Sequence, residues 1–366
     1  MTIAVDASNL YSGGSITHLH NFLKFSAESR NKVIIFCFQD IYEKFSEFEG
    51  SIEFVIISSG YRKIFFIWQV LHSSILLKKL NVDILFVPGG IYLGSFRPFK
   101  VMCRNMLLFE KAQSDLYGLK DRSIIKLKSL LNLHSYRRSS KVIFISNYAK
   151  DYLGKYKYLK EKGVIIHHGV DDYYRKTWRP LEINDKISFV CNSALEPYKR
   201  VIDLLDILSN YSERYYKKVE LTIIGGLSNE TYVELIRDKI NDPEFNVAVT
   251  IESNLNKREI VSIYKNSHFF IFPSTCENMP NALIEAQVSG IPVISSNQGS
   301  AKEFLRDIDV AFNPLIHVEA IEIIDRCIVD YTMLKTKALA FIDDRYSWKK
   351  CVEQTNIELT CVDLVD

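Results

Sequence analysis

Two glutamates eight residues apart, Glu277 and Glu285, stand in the run FPSTCENMPNALIEAQVSGIPVISSNQGSAKE at 272–303. The pattern predicts a buried strand ending at Ser274 and a helix beginning near Pro280. Proline suits a first helical position, and Gly290 falls just past the last one. The amides around Asn278, Met279, Pro280, Asn281 and Ala282 would then form a helix N-terminus at a strand's carboxyl end, an anion site that suits a diphosphate. Glu277 would lie just before that helix and Glu285 five residues into it, about 7.5 Å further along at 1.5 Å per residue. Carboxylates are pure acceptors and suit vicinal diols, so one could hold the hydroxyls of a transferred sugar and the other those of a ribose. The plain alternative is a solvated helix-face residue at 285 and a first-turn acid favoured by the helix dipole at 277. A second cluster stands in NSALEPYKRVIDLL at 192–205, where Lys199 and Arg200 are expected to open a helix. Positive charge there opposes the dipole unless an anion is present, which makes Lys199 a phosphate candidate rather than a merely tolerated surface lysine.

Other chemistry-bearing residues carry less. Gly13 and Gly14 could bring backbone close to a phosphate, or could be a plain strand-to-helix turn. His18 and His20 are two apart, which on a helix places them on different faces and argues against a shared metal. His167 and His168 end an apolar run, where a hydrogen-bonded structural histidine is expected. Asp307 and Asp309 have the spacing of a metal-binding pair but fall in a helix-to-strand turn, and no metal is expected. The seven cysteines are scattered without a C-x-x-C pair, so they are expected to be reduced and structural.

Positioning these residues requires a scaffold, and its strands can be read. Apolar, β-branched runs recur at 3–7, 33–38, 83–88, 142–146 and 164–168, each followed by helical periodicity. After a polar interval containing Pro180 the series restarts at 187–191, 219–226, 268–274 and 292–296. Runs apolar on both faces are what buried parallel strands look like. Two βαβ series predict an α/β fold of two doubly wound, Rossmann-like domains, divided near residue 180, with ligands beyond the carboxyl ends of the strands.

Composition limits the remaining classes. Of 366 residues, 47% are apolar and 25% charged, ordinary for a globular protein with room for two cores. No apolar run of membrane-spanning length and no signal-peptide pattern is read, so a cytoplasmic location is expected. The net charge of +2 hides an asymmetry: residues 1–180 carry 27 Lys and Arg against 15 Asp and Glu, and the remainder 19 against 29. A basic first half suggests an anionic partner such as membrane phospholipid or a lipid pyrophosphate, and no nucleic-acid motif accompanies it. Residues 119–141 mix aliphatic and basic side chains and are a candidate for peripheral contact with anionic membrane. Residues 61–80 have a similar mixture but read better as an amphipathic helix packed on its own sheet.

The run from Glu277 to Glu303 resembles the E-x7-E signature of glycosyltransferase family 4, the group 1 glycosyl transferases. NSALEPYKRVIDLL resembles that family's first donor-domain strand, turn and helix. VIFISNYAKDYL at 142–153 and IIHHGVD at 165–171 resemble its inter-domain approach, and RYSWKKCVEQT at 345–355 its closing helix. The resemblance implies the GT-B fold: an acceptor-binding domain at 1–180, a donor-binding domain at 181–345, a central cleft, and a helix at 346–366 that packs back on the first domain. It implies a retaining, metal-independent transfer from a nucleotide sugar (UDP-, GDP- or TDP-linked) to a free or lipid-diphosphate-linked saccharide, in the making of bacterial surface polysaccharide or O-antigen. Glu277 would lie beside the donor sugar, Glu285 would hold the ribose and Lys199 the phosphate. Arg200, the amides at 278–282 and Gly14 complete the donor candidates. The pattern departs in two places. Ala194 stands where many relatives carry an arginine, and residues 102–118 lack the histidine many carry in the acceptor domain. Arg104, Asn105, Glu110 and His168 are the acceptor-side candidates. Two other readings stay open: an epimerase or hydrolase on the same fold and, because of those departures, an inactive nucleotide-sugar-binding subunit.

Overall fold

A computed structural model describes residues 1–10, 13–28, 31–341 and 345–361. The chain divides into two compact units. Unit 1 comprises Met1–Phe109, Leu119–Gly169 and the segment from Tyr346 onward; unit 2 comprises Glu110–Gly118 and Val170–Arg345. The division falls at Gly169–Val170 rather than near 180, and residues 362–366 of the expected closing segment lie outside the described residues.

Unit 1 is built on seven strands: β1 (Thr2–Asp6), β2 (Lys32–Cys37), β3 (Glu53–Ile56), β4 (Ile84–Val87), β5 (Phe99–Cys103), β6 (Lys141–Phe144) and β7 (Gly163–Ile165). All pair in parallel, in the order β3-β2-β1-β4-β5-β6-β7. Unit 2 repeats the plan with β8 (Lys186–Asn192), β9 (Lys218–Ile224), β10 (Ala248–Glu252), β11 (Phe269–Phe272), β12 (Val293–Ser296) and β13 (Val310–Phe312), in the order β10-β9-β8-β11-β12-β13. The strand order reverses between β1 and β4 in one sheet and between β8 and β11 in the other. That switch point is where an open α/β sheet leaves a crevice at its carboxyl edge.

The strands that were not read from the sequence have local reasons. β3 carries an apolar run at 54–57 that the sequence reading passed over; β10 is an edge strand with half-exposed side chains and a polar Thr250, and β13 is a three-residue edge too short to stand out. β5 is interrupted by Lys100, which is 1% exposed; its ammonium donates to the carbonyls of Glu358 and, at 3.2 Å, of Cys361. A buried cation is tolerated there because those acceptors replace its water.

The segment expected to be one packed helix at 61–80 is broken into a 3-10 turn (Ser59–Ile64), a helical turn (Phe65–Trp68), a π turn (Gln69–Ser73) and a last short helix (Ser74–Lys79). The π turn begins at Gln69, which is fully buried and donates to Asp6 Oδ2 at 2.7 Å and to the Ile91 carbonyl at 3.0 Å. The extra residue in that turn puts Gln69 inward and leaves Phe66, Val70, Leu71 and Ile75 exposed. The helix Leu119–Arg138 likewise exposes Leu119, Ile124, Leu127 and Leu130. No described helix is long and apolar enough to cross a membrane.

The last helix, Trp348–Thr360, packs on the helix Gly14–Ser26 within unit 1. Trp348 is 5% exposed and lies against His18 and His168, with ring centroids 6.1 and 5.3 Å away. Gly169 makes the approach possible: a Cβ there would sit 2.0 Å from the Trp348 nitrogen.

Candidate active site

The site in unit 2 starts from the carboxyl ends of β8 and β11, the two strands at the switch point. β11 is buried along its length, and the chain leaves it through Pro273–Pro280 into the helix Asn281–Ser289. Pro280 is the residue before that helix rather than its first residue, and Gly290 ends it in the left-handed conformation at φ 94°. No side chain caps the N-terminus, so the first-turn amides lack the usual internal acceptors. Asn281 Oδ1 is also buried there without a hydrogen-bond partner among the described residues. The helix is held from behind. Gln287 donates to the Phe304 carbonyl at 2.9 Å and to Asp309 Oδ2 at 2.6 Å, while Arg306 donates to the Gln287 carbonyl at 2.9 Å. Arg306 and Asp309 form a fully buried ion pair at 2.6 Å, so Asp309 is occupied by a guanidinium. Among the described residues no group of three or more His, Cys, Asp or Glu could hold a metal ion.

Beyond β8, Lys199 ends a 3-10 turn (Pro197–Lys199) and Arg200 takes a left-handed conformation at φ 55° before the helix Val201–Tyr215. The expected position inside a helix is thus replaced by a tighter turn, because Pro197 starts the turn and Arg200 breaks it. The consequence is that Lys199 lies over the rings of Tyr198 and Phe272, 5.0 and 5.8 Å from their centroids, and pairs with Glu277. Burial alone would pull the Lys199 ammonium down. The Glu277 carboxylate and the Tyr198 hydroxyl outweigh it and hold the group above the ordinary lysine range. Arg200 donates to Thr275 Oγ1 at 3.4 Å and lies 3.8 Å from Asp203, placing both basic residues around the loop that carries Glu277. Asn278 and Met279, on the same loop, are buried.

Glu285 has a separate environment. It is half-buried on the helix, with Tyr174, Tyr264, Asp171 and Lys257 as neighbours in charge and ring contact. Burial pushes its carboxyl up to about 8; Lys257 draws it down and Asp171 pushes it up. Lys257 and Asp171 are themselves an ion pair, and Lys257 begins a helix (Lys257–Lys265) fixed by an Asn256–Glu259 capping box.

Glu110 was read as an acceptor-side residue of the first domain, but it belongs to unit 2. It is 8% exposed and accepts from the Cys276 thiol beside Glu277; burial first, then Glu110 and Glu277, keep that thiol protonated and inert. Its segment is tied down at two further points: Thr275 Oγ1 donates to Gln113 Oε1 at 2.8 Å and Tyr117 donates to Glu196 Oε2 at 2.7 Å. The remaining candidates lie in unit 1. Gly14 opens the helix Gly14–Ser26 and is exposed, Asn105 accepts from the Leu107 amide at 3.0 Å, and Arg104 lies near His18 and His168. His18 and His168 are buried with ring centroids 5.0 Å apart, whereas His20 lies against Phe45 and Phe48. Burial, then Arg104, lower His18 to about 3, so it is neutral.

The structure therefore gathers Glu277, Lys199, Arg200, Glu285, Glu110 and the 278–282 loop in unit 2, and leaves Gly14, Arg104, Asn105 and His168 in unit 1. Sequence reasoning missed Lys257, Asp171, Tyr174 and Tyr264 around Glu285. The capping pattern Asn256-x-x-Glu259 was a legible sign that Lys257 starts a helix; nothing local to the sequence brings it to Glu285.

Residues 12–173 match the family described as Glycosyltransferase Family 4, and residues 175–323 match Glycosyl transferases group 1. The chain belongs to this family of glycosyltransferases. A curated member, the capsular polysaccharide biosynthesis glycosyltransferase CapH of Staphylococcus aureus, is 27% identical over 232 residues. That match covers 61% of this chain and 61% of CapH, so the chain spans less than two thirds of the length of the curated relative it matches. Among solved structures, a glycosyltransferase from Rickettsia africae superposes with a TM-score of 0.72 at 18% identity, covering 98% of this chain and 97% of that one. HepE of Anabaena, determined with UDP and glucose, superposes with a TM-score of 0.73 at 16% identity, covering 99% and 100%. These likenesses establish the fold as GT-B.

Proposed function

We propose that this glycosyltransferase moves a sugar from a nucleotide-sugar donor to a saccharide acceptor carried on a lipid diphosphate, with retention of configuration and without a metal. The observation that carries the reading is the Lys199–Glu277 pair at the switch point, beside a helix N-terminus that has no side-chain cap. On donor binding the diphosphate competes with Glu277 for Lys199. The released carboxylate is then placed to hold the transferred sugar and to face the positive charge that develops on it. The departing diphosphate gains negative charge, which the Lys199 ammonium and the amides near Met279–Ala282 stabilise. Glu285 accepts from ribose hydroxyls and fixes the nucleoside. Ala194 supplies no charge, so Lys199 carries more of the phosphate stabilisation than it would beside an arginine. The acceptor is assigned to unit 1, with Arg104, Asn105 and His168 as its polar groups. CapH, a capsule-building enzyme by name, supports the polysaccharide setting. The exposed Leu119, Ile124, Leu127 and Leu130, interleaved with Lys120, Lys126 and Lys128, support peripheral contact of the 119–141 segment with anionic membrane.

The test is a thermal-shift and calorimetric panel of UDP-, GDP-, TDP- and CMP-sugars, with and without EDTA, since a ligand of the native state raises its stability. Binding of one nucleotide class regardless of chelator is expected. Incubation with and without saccharide acceptors, followed by product analysis, separates transfer from epimerisation or hydrolysis. Binding without turnover across acceptors would point instead to a nucleotide-sugar-binding subunit.

A further inference from the structure

The segment Glu110–Gly118 follows β5 of unit 1 in the chain but packs within unit 2, and the reaction as described leaves its polar side chains unused. Its backbone is wound into turns: the amides of Ser114, Asp115 and Tyr117 donate to the carbonyls of Glu110, Lys111 and Ser114 at 3.0, 2.9 and 3.2 Å. From this frame Gln113 reaches the loop after β11, where Thr275 Oγ1 donates to its Oε1 at 2.8 Å. Tyr117 reaches the turn after β8, where it donates to Glu196 Oε2 at 2.7 Å. One turn of chain thus bridges the two loops that leave the switch point, one carrying Glu277 and the other Lys199.

The hydrogen bonds at Thr275 fix which way the Gln113 carboxamide points. Thr275 is buried, and its hydroxyl has two acceptors in reach, Gln113 Oε1 at 2.8 Å and the Tyr198 carbonyl at 3.0 Å. The Tyr198 carbonyl already accepts from the Thr275 amide at 2.9 Å, so the hydroxyl hydrogen goes to Gln113. Oε1 therefore faces Thr275, and Nε2 turns away with two N–H groups that have no acceptor among the described residues. The same Thr275 oxygen accepts from Arg200 Nε at 3.4 Å, so the Gln113 and Arg200 head groups meet on one atom. Asp203, the carboxylate beside Arg200, lies 3.8 Å from it, beyond hydrogen-bond distance. Lys199 completes the group through its pairing with Glu277, two residues after Thr275. N–H donors from three side chains around one loop, two of them cationic, match the oxygens of a phosphate. Ala194, just past β8, brings no donor side chain of its own.

We propose that Gln113 is a donor-site residue: its Nε2 donates to an oxygen of the phosphate that bears the transferred sugar, beside Arg200, and Tyr117 positions it by holding the segment to Glu196. The inference rests on the donor reading given above, which places the sugar at Glu277 and the ribose at Glu285. Thr275 is on the Glu277 loop, so the phosphate in question is the one next to the sugar. The residue comes from the connection between β5 and the helix Leu119–Arg138, outside every segment that the donor reading uses.

Calorimetry of the full chain with UDP-glucose, UDP and UMP, and with the matching GDP and TDP series, tests this. Gln113→Ala should weaken the nucleotide sugar and the diphosphate by about tenfold, the size of one hydrogen bond to a charged group, and leave the monophosphate unchanged. Gln113→Glu keeps an oxygen for Thr275 but replaces both N–H donors with a second acceptor and a negative charge. It should therefore bind the diphosphate at least as weakly as Gln113→Ala. Tyr117→Phe should cost about threefold in diphosphate binding and nothing further in a Gln113→Ala background. A Gln113→Glu variant indistinguishable from wild type shows that Gln113 only braces Thr275, and overturns the proposal. So does an equal loss for the monophosphate, which marks a general disturbance of the site, or a loss confined to the nucleotide sugar, which moves the contact onto the sugar. A folded wild-type chain that binds none of the nucleotides overturns the donor reading and this residue with it, so the two failures are told apart.

Discussion

The pH dependence of donor binding tests the role of Glu285 most directly. Its carboxyl titrates at about 8 because the site is half-buried and Asp171 is near. If ribose hydroxyls donate to this carboxylate, as proposed, binding requires the ionised form and is lost as pH falls below about 8. Each pH unit below that value costs about 1.4 kcal/mol, or about tenfold in Kd. Between pH 8.5 and 6.5 the ionised fraction falls from about 0.76 to about 0.03, so the Kd should rise by about 25-fold. An intact nucleotide sugar is the right ligand, because its diphosphate diester does not titrate in this range as a free diphosphate would. Calorimetry at pH 7 in buffers of different ionisation enthalpy should show release of about 0.9 proton per ligand bound. Glu285→Gln should bind more weakly at pH 8.5 and show no titration. Lys257→Ala removes the neighbour that lowers Glu285 and should move the transition upward. A wild-type Kd flat from pH 6.5 to 8.5 would refute the assignment of the ribose to Glu285, as would a Gln variant that keeps the full pH dependence.

The same carboxyl gives a stability prediction. Its folded value lies above the ordinary 4.5, so stability is lost as pH rises from about 4.5 through about 8, and Glu285→Gln should raise Tm at pH 8 by more than at pH 5. Lys199→Ala should lower kcat by about 10²–10³, the size expected for loss of one charge-stabilising group, with the fold retained by circular dichroism; unchanged kcat would remove Lys199 from the site. Asp309→Ala strands the buried Arg306 and should cost about 3–5 kcal/mol in a denaturant titration; it should also weaken donor binding, because the pair holds the helix that presents the 281–283 amides.

Most of the scaffold was legible because strands buried on both faces are largely apolar, as β1, β2, β4, β6, β8, β11 and β12 show; β9 alternates, with Glu220 and Thr222 half-exposed, and was read from its apolar face. Edge strands carry half that signal, and Lys100 hid β5 through two carbonyls some 260 residues away in the chain. The helix at 281–289 was readable from its proline, its glycine and the strand before it. Lys199 was found for its charge, but the turn that aims it at Glu277 depends on Arg200 adopting a positive φ, which its residue type does not announce. Glu110 illustrates the limit most clearly. Nothing in CRNMLLFEKAQSDLYG says that residues 110–118 leave the company of their neighbours and join unit 2, because that choice is made by Thr275, Cys276 and Glu196, far along the chain.

The placement of the last helix has a consequence for how the molecule is made. The first two segments of unit 1 lie before most of unit 2 in the chain, but unit 1 also includes Trp348 and its helix, which are synthesised after all of unit 2. Until then the helix Gly14–Ser26, Gly169 and the His18–His168 pair lack the side chains that cover them. Unit 2 from Val170 to Arg345 is continuous except for residues 110–118, which have already been synthesised, so it can close while unit 1 still waits. Completion of unit 1 therefore waits for the last segment, and a nascent chain stalled before Tyr346 should expose unit 1 to proteases more than unit 2.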